Sequence, residues 1–516
     1  MELIKRNVHM NRLKSHIVTQ LTLDDDFNVP DVNDDIYRII TKDGFVLQNS
    51  TKVQDGKVIV SGSLEFKFLY GGSDDTGKIH HMSGSIPFTE TINCDNVLEH
   101  DGVTVKWDID DLNIGIINTR KISTKAIISV SVSCEDIYDI ETACLPDDEE
   151  SKVLGLKHSA EVTQLAVCKK DIIRIKENID LPNGKPNIAE IIWDSICLKS
   201  VSTKLQAGKI SITGEINLFI LYAAEDENAP VQWFDTTFSF SNALDMPGCD
   251  EDMIGDICVS IGSSTISLKN DYDGEPRSLE PDIVLDLNIK IYKEEPVVFL
   301  TDAYSPECNV IPVYGQVTYN TILTKNLSKC RLTDKLKLDS AKGQILQLLS
   351  SLGTPKIDEV TVTEDGLLVE GVVTAKLMYI SSDDKSPLAI ADEIIPFSHT
   401  IEAKGVTENS LSFIRPSMEQ MSVVMTGTNE VEVKADVLLD CLVLNNNTCN
   451  VITDIDTEDF DSAWLSSRPG MTGYLVKAGD TLWDIAKSFF TTKERIMEIN
   501  EMKSDIISPG DMLLIL

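Results

Sequence analysis

The side chains in this 516-residue chain with the chemistry to act as catalysts or ligands are seven histidines, eleven cysteines and 83 acidic residues, and their spacing argues against each reaction they suggest. Only His80 and His81 adjoin; neighbouring strand residues point to opposite faces, so the two make a poor chelating pair and read as a solvated loop pair. The cysteines are odd in number and contain no Cys-x-x-Cys, which excludes the spacing of a zinc site and of a disulfide framework. Cys197, between Ile196 and Leu198, and Cys441, in the largely apolar run Val437 to Leu444, read as small buried hydrophobes, and free thiols fit a reducing cytosol. The clusters Asp24-Asp25-Asp26, Asp147-Asp148-Glu149-Glu150 and Asp383-Asp384 offer oxygen ligands for Ca²⁺, but none has the spacing of an EF-hand loop, so they read as solvated turns. Gly-Lys at 56–57 and 208–209 lacks the upstream glycine of a phosphate loop, 342–343 is the reverse pair Lys-Gly, and Gly-x-Ser-x-Gly and His-Glu-x-x-His are absent. No catalytic residue, metal ligand or cofactor site is assigned, and the chain reads as a non-enzyme.

With 46 basic against 83 acidic residues the net charge is −37, on a chain that is 42% hydrophobic and 25% charged. That composition is globular, and the length suits about three or four domains of about 100–200 residues each. A nucleic-acid partner is disfavoured, because phosphate neutralisation needs clustered Lys and Arg. The nearest basic stretch, Lys5-Arg6 with Arg12 and Lys14, is short, mixed, and reads as a solvated helix or strand edge. It lacks the apolar stretch of a signal peptide. The longest apolar run, Leu218 to Ala224, is seven residues where a membrane span needs about 20, so the expectation is a chain neither exported by a signal peptide nor embedded. The negative surface favours a partner with a basic patch.

What must position any site is a repeat. Gly56-Lys57-Val58-Ile59-Val60-Ser61-Gly62 with Phe68-Leu69-Tyr70 returns 152 residues later as Gly208-Lys209-Ile210-Ser211-Ile212-Thr213-Gly214 with Ile220-Leu221-Tyr222. The offset also matches Pro30, Ile36, Ile39 and Ile40 to Pro182, Ile188, Ile191 and Ile192, and Asp74 and Phe88 to Asp226 and Phe240. A third copy, 309 residues after the first, shows Ile345, Leu348, Leu349, Gly371, Tyr379, Asp383 and Phe397, with Gly366 one residue closer to Gly371 than in the other copies. Each copy predicts a short amphipathic helix from apolar residues at i, i+3 and i+4, then two alternating strands, an acidic loop, and a strand around the Phe. Leu64, Phe66 and Phe68 alternate with Ser63, Glu65 and Lys67, the pattern of half-buried antiparallel strands. Further strands are predicted at Lys125 to Ser133, Asp282 to Tyr292 and Glu430 to Leu444, and Gly62, Gly214 and Gly371 inside strand patterns predict bulges or close backbone approach. The fold class is mainly β.

The post-proline stretch, the Gly-Lys-x-x-x-x-Gly strand and the closing Leu-Tyr make these copies resemble the SPOCS domain, the spore-coat-associated module of endospore-forming bacteria, over roughly residues 10–450. Units of 1–150, 151–300 and 301–452 are expected, followed by an acidic, breaker-containing linker at 453–470.

Residues 471–516 carry a sharper signal. Gly473-Tyr474-Leu475-Val476-Lys477-Ala478-Gly479-Asp480-Thr481-Leu482-Trp483-Asp484-Ile485-Ala486, with Glu498-Ile499-Asn500 and Ile506-Ile507-Ser508-Pro509-Gly510-Asp511, resembles a LysM domain to the final residue. The order β-α-α-β is also legible from physics: Thr481 with Asp484, and Thr491 with Glu494, predict two helix starts, and Leu482, Ile485, Ala486 and Phe489 share one helix face. Ile496 and Ile499 supply the inward face of the second helix, and Pro509-Gly510 turns into a last strand, Met512 to Leu516.

The LysM resemblance implies binding of N-acetylglucosamine polymers such as peptidoglycan in a shallow groove between two loops. On this chain the matching positions are Gly479, Asp480, Thr481 and Leu482, with Ile506, Ile507 and Pro509 opposite. Trp483 is open to two roles, packing inside the domain or partly exposed contact. Three SPOCS-like copies before one LysM domain also resemble spore-morphogenesis proteins of clostridia that work in the mother-cell cytoplasm at the forespore surface, where LysM docks on a coat morphogenetic ATPase, SpoIVA-like. The expectation is a non-enzymatic scaffold of spore-coat assembly, with a peptidoglycan-binding protein of the cortex or wall as the alternative. Self-association through exposed strand edges stays open.

Overall fold

The computed structural model describes residues 3–72, 78–144, 153–225, 231–339, 343–383, 386–461 and 469–516. Asp74, Asp226, Asp384 and the acidic stretch 147–150 lie outside the described residues. The first copy is built from β1 (Ile4–Asn28), β2 (Ile36–Gln54), β3 (Lys57–Gly72), β4 (Ile79–Asn93), β5 (Gly102–Asn118) and β6 (Lys121–Cys144). The second has β7 (Leu154–Lys176), a two-residue β8 (Ile179–Asp180), β9 (Ile188–Gln206), β10 (Lys209–Ala224), β11 (Gln232–Asp245), β12 (Ile254–Asn270) and β13 (Pro276–Tyr304). The third has β14 (Asn309–Lys337), β15 (Ile345–Thr363), β16 (Gly366–Ser381), β17 (Leu388–Glu402), β18 (Leu411–Met425) and β19 (Glu430–Glu458). The C-terminal unit is β20 (Thr472–Leu475), α1 (Leu482–Phe489), α2 (Lys493–Ile499) and β21 (Met512–Ile515).

Each copy is an antiparallel sandwich of two sheets, ordered β2-β3-β4 and β1-β6-β5 in the first copy, with the same order in the other two. Alternation explains the layering: Leu64, Phe66, Phe68 and Tyr70 are buried on one face of β3 and pack on Ala126, Ile128 and Val130 of β6. The expected mainly-β fold is observed, with one difference. The stretch at Ile36, Ile39 and Ile40 is strand, not helix. Its register runs Ile36↔Gly72, Arg38↔Gly71, Ile39↔Tyr70, Thr41↔Leu69, so Tyr37 and Ile40 are extra residues facing no partner. Two bulges in close succession stretch a period of two into the three-and-four spacing of a helix. The same pair of bulges recurs at Ile188–Trp193 and at Ile345–Ser350.

The motif residues now have structural reasons. Tyr70 donates a hydrogen bond to the Asp34 carbonyl (3.3 Å) and Tyr222 to the Pro186 carbonyl (3.2 Å), tying the post-proline loop to the central strand. Arg120 caps the same loop at the Asn33 and Pro30 carbonyls, as Arg277 does at those of Lys185 and Pro182. Gly62, Gly214 and Gly371 lie directly opposite Phe88, Phe240 and Phe397, beside bulges that fall in the neighbouring strands β2, β9 and β15, where a bulge or a close backbone approach was expected. A Cβ on Gly371 would meet the Lys356 carbonyl oxygen at 2.2 Å and the Phe397 ring at 2.9 Å. In the third copy the hairpin turn is Glu364-Asp365 and Gly366 enters the ladder opposite Thr363, which accounts for the one-residue shift.

Several polar expectations change. Asp24 and Asp26 sit in β1 and pair across the sheet with Lys125 (3.2 Å) and Lys121 (2.7 Å), so this cluster is a strand edge balanced by cations and not a turn. His80 and His81 belong to β4 and not to a loop; His80 stacks on Tyr70 at 5.4 Å. The acidic residues 453–458 form the end of β19, with Ile452 and Ile455 buried beneath them, so the strand displaces the start of the expected linker. Cys441 is buried as expected and Cys197 is half-buried; both are free. Among the described residues no cluster of three or more His, Cys, Asp or Glu could hold a metal ion, and no helix is long and apolar enough to cross a membrane.

The outer strands run past the sandwich as two-stranded ribbons: β1 with β6, β7 with β13, and β14 with β19. A bulge marks each exit, at Lys14, Ala166 and Leu323, directly after the pairs Leu13↔Glu135, Leu165↔Tyr292 and Ile322↔Leu444. The ribbons pack together, burying Met10, Val162 and Tyr319, which occupy equivalent positions, with Ile140, Val297 and Phe299. A second shared core lies between the sandwiches, where Leu69, Leu221 and Met378, again equivalent, meet Ile192, Trp193, Phe219 and Leu349. In each Leu-Tyr or Met-Tyr pair, the tyrosine fills its own copy and the preceding residue fills the common core. Every pair of copies touches. Lys67 reaches Asp194 of the second copy (2.9 Å), Arg415 of the third bridges Asp256 and Asp440, and Lys376 of the third donates to the Lys42 carbonyl of the first (3.1 Å). The three copies therefore close on one another in an approximate threefold arrangement.

Candidate functional site in the C-terminal unit

The last 45 or so residues form a small core of Val476, Leu482, Ile485, Ala486, Ile496, Leu513 and Ile515. Thr481 caps α1: its Oγ1 accepts from the Asp484 amide (3.2 Å) and donates to the Asp484 carboxylate (2.6 Å). The second cap is Thr492, which accepts from the Arg495 amide at 3.1 Å, and not Thr491 as the spacing suggested. Thr491 is buried in the turn between the helices, where its amide closes α1 on the Ala486 carbonyl. Asn500 then clamps β21, donating to the Leu514 carbonyl and accepting from its amide, both at 2.8 Å.

The two loops singled out by the sequence are brought side by side. Val476 donates to the Asp511 carbonyl and accepts from the Gly510 amide, both at 2.9 Å, joining the turn 477–480 to the turn 508–511. Gly479 (φ 91°) and Gly510 (φ 97°) hold left-handed conformations that a side chain would strain. Asp480 is a structural anchor of the first loop: its Oδ2 accepts from the Lys477 amide and from the Tyr474 hydroxyl, each at 2.8 Å. The Lys477 amide first, then Tyr474, hold its carboxyl below the usual range. Gly479, Thr481, Pro509 and Ile506 are exposed, Ile506 at 77%, while Asp480 and Ile507 are half-buried. Leu482 and Trp483 are buried and contribute nothing to the loop surface.

Of its two expected roles Trp483 takes the buried one, but the core it joins reaches beyond its own unit to Tyr304. Its ring packs edge-on against Tyr304 (centroids 4.7 Å) and its indole N–H donates to Asp302 Oδ2 at 2.8 Å, so it seats the unit on the tip of the β13 ribbon. Lys487 Nζ reaches both Asp302 oxygens (2.7 and 2.9 Å), Tyr314 of β14 donates to Oδ1 (3.0 Å), and Tyr304 donates to the Thr491 carbonyl (3.0 Å). Burial works against the Asp302 charge, but the hydrogen bonds from Lys487, Trp483 and Tyr314 outweigh it and hold the carboxyl below its ordinary range. Asp302, Tyr304, Tyr314 and Lys487 carry no local signature in the sequence; one more aspartate among 83 acidic residues could not be singled out.

Comparison with known proteins places this geometry. The family described as SipL, SPOCS domain matches residues 35–117, 187–269 and 344–426, which are β2–β5 and their counterparts without the ribbon strands. The LysM domain family matches residues 474–516. An uncharacterized protein, YkzQ of Bacillus subtilis (strain 168), is 48% identical over 42 residues, 8% of this chain and 56% of that protein. No solved structure matches.

Proposed function

The chain belongs to the SPOCS-domain proteins and carries a C-terminal LysM domain, and on that premise we propose a non-enzymatic scaffold of spore-coat morphogenesis that docks through its LysM domain on a SpoIVA-like coat ATPase at the forespore surface, in the mother-cell cytoplasm. Both domain families are non-catalytic, and the family name supports a sporulation role. The units we assign to the scaffold are 1–150, 151–300 and 301–452, with the β13 ribbon of the second running on to Tyr304 and β19 of the third to Glu458, then a connector up to 470 and the LysM unit 471–516. The observation that carries the reading is the seat on Asp302: it offers the two LysM loops to a partner from a fixed position on a closed three-copy body.

Those exposed loops, with Ile506 at their rim, equally favour a second reading, binding of peptidoglycan through N-acetyl groups and sugar faces. Titrating the full chain, wild type and Ile506→Asp, against the purified ATPase and purified peptidoglycan separates the two. The scaffold reading expects saturable binding to the ATPase, weakened at least about tenfold by the substitution, which corresponds to about 1.4 kcal/mol. Saturable glycan binding with no ATPase binding replaces it with the second.

A further inference from the structure

Where the three ribbons leave the sandwiches, equivalent residues of all three copies line a narrow, partly enclosed cavity of about 20 Å³. Asn11, Thr163 and Asn320 come from β1, β7 and β14, and Glu135, Tyr292 and Leu444 from β6, β13 and β19. Two polar atoms here are buried without a hydrogen-bond partner in the protein: Asn11 Oδ1 from the first copy and Thr163 Oγ1 from the second. Thr163 is only 4% exposed. We propose that this junction is a binding site for a single water molecule, which donates to Asn11 Oδ1 and accepts from or donates to Thr163 Oγ1, bridging two copies at the point where all three meet.

Size and charge select the ligand. A cavity needs about 10–15 Å³ to take one water, and a bound water needs two to four polar partners, so this volume takes one solvent molecule and no larger solute. The one carboxylate in the lining is already neutralised: Glu135 accepts from Lys290 Nζ at 2.6 Å on both oxygens and from Asn11 Nδ2 at 3.0 Å. A cation would face neutral oxygens with the Lys290 ammonium beside them, whereas a water meets an acceptor and a hydroxyl. Leaving Asn11 Oδ1 and Thr163 Oγ1 both unpaired would destabilise the junction, and a shared water removes both penalties at once.

Thr163→Val and Thr163→Ser in the full chain give the test a sign. With the water in place, valine removes one of its partners and lowers the thermal midpoint by about 2–4 °C, while serine keeps the hydroxyl and stays near wild type. If the hydroxyl has no partner, valine relieves a buried polar atom and the midpoint rises, which overturns the proposal. A crystal structure of the wild type grown with rubidium chloride gives a second reading. One oxygen peak within hydrogen-bond distance of both atoms supports the water; an empty cavity, or an anomalous rubidium peak in it, overturns it.

Discussion

The Trp483 indole donates to the Asp302 carboxylate at 2.8 Å across 181 residues of sequence, and this contact decides how the LysM domain sits on the three-copy body. The carboxylate is mostly shielded and accepts from Lys487 and Tyr314 as well, so a single side chain gathers donors from β14 and α1. Asp302→Ala is expected to weaken the seat by roughly 1.5–3 kcal/mol, the range for hydrogen bonds to a charged group. Hydrogen exchange checks it: amides in 482–491 and 298–304 lose protection together, while β3, β10 and β16 stay protected.

The same seat has a pH window. Asp302 has its folded carboxyl below the ordinary aspartate value of about 3.9, so its contribution is complete above about pH 4 and is lost as pH falls through the depressed value. On the alkaline side, the Tyr304 hydroxyl is pushed up to about 12 by burial, then by Glu494 and Asp302. A raised phenol contributes fully below about pH 10 and loses its effect as pH rises toward the folded value. Exchange protection of α1 is therefore expected to be flat from about pH 4 to about pH 10 and to fall outside it.

Leu221 lies in the core shared by the three copies and Ile212 in the core of its own. Alanine at either costs about 2–5 kcal/mol. The pattern differs: Leu221→Ala lowers exchange protection in β3 and β16 as well as β10, whereas Ile212→Ala acts mainly on the second copy. Loss confined to one copy in both variants would contradict the shared core.

The three strand glycines rank by what a methyl group would strike. At Gly371 and Gly62 it meets a backbone carbonyl oxygen, at 2.2 and 2.5 Å, but at Gly214 the nearest atoms are the Phe240 ring at 2.8 Å, with the Lys199 carbonyl at 3.4 Å. Gly371→Ala and Gly62→Ala are expected to destabilise by roughly 1–3 kcal/mol, and Gly214→Ala by less because a ring tip moves more readily than a strand. Thermal midpoints of the three variants check the order.

Much of this architecture was legible from residues that recur. Gly62 with Phe88 and Leu69 with Tyr70 announced the copies at fixed offsets, and alternation over 57–70 assigned the inward face of β3. The β2 start was misread because the bulges at Tyr37 and Ile40 imitate helical spacing. The role of Leu69 was hidden since alternation assigns it to the outer face of its own sandwich, and only contact with Leu221 and Met378 buries it. Within the LysM unit the loops were readable from Gly479 and Pro509-Gly510, yet Trp483 was not, because its partners lie in a distant ribbon.

Closure also fixes a count. In an open array of repeats a fourth copy can be added at either end, but here the third copy already returns to the first through Lys376 and the Lys42 carbonyl. Insertion of a fourth would break the meeting of Leu69, Leu221 and Met378, and a chain with a single copy would leave that surface wet unless three such chains assembled. The arrangement thus amounts to a trimer written into one polypeptide, with the freedom that follows from covalent linkage: each copy can differ alone, and here it is the second whose Asp302 and Tyr304 meet the LysM domain.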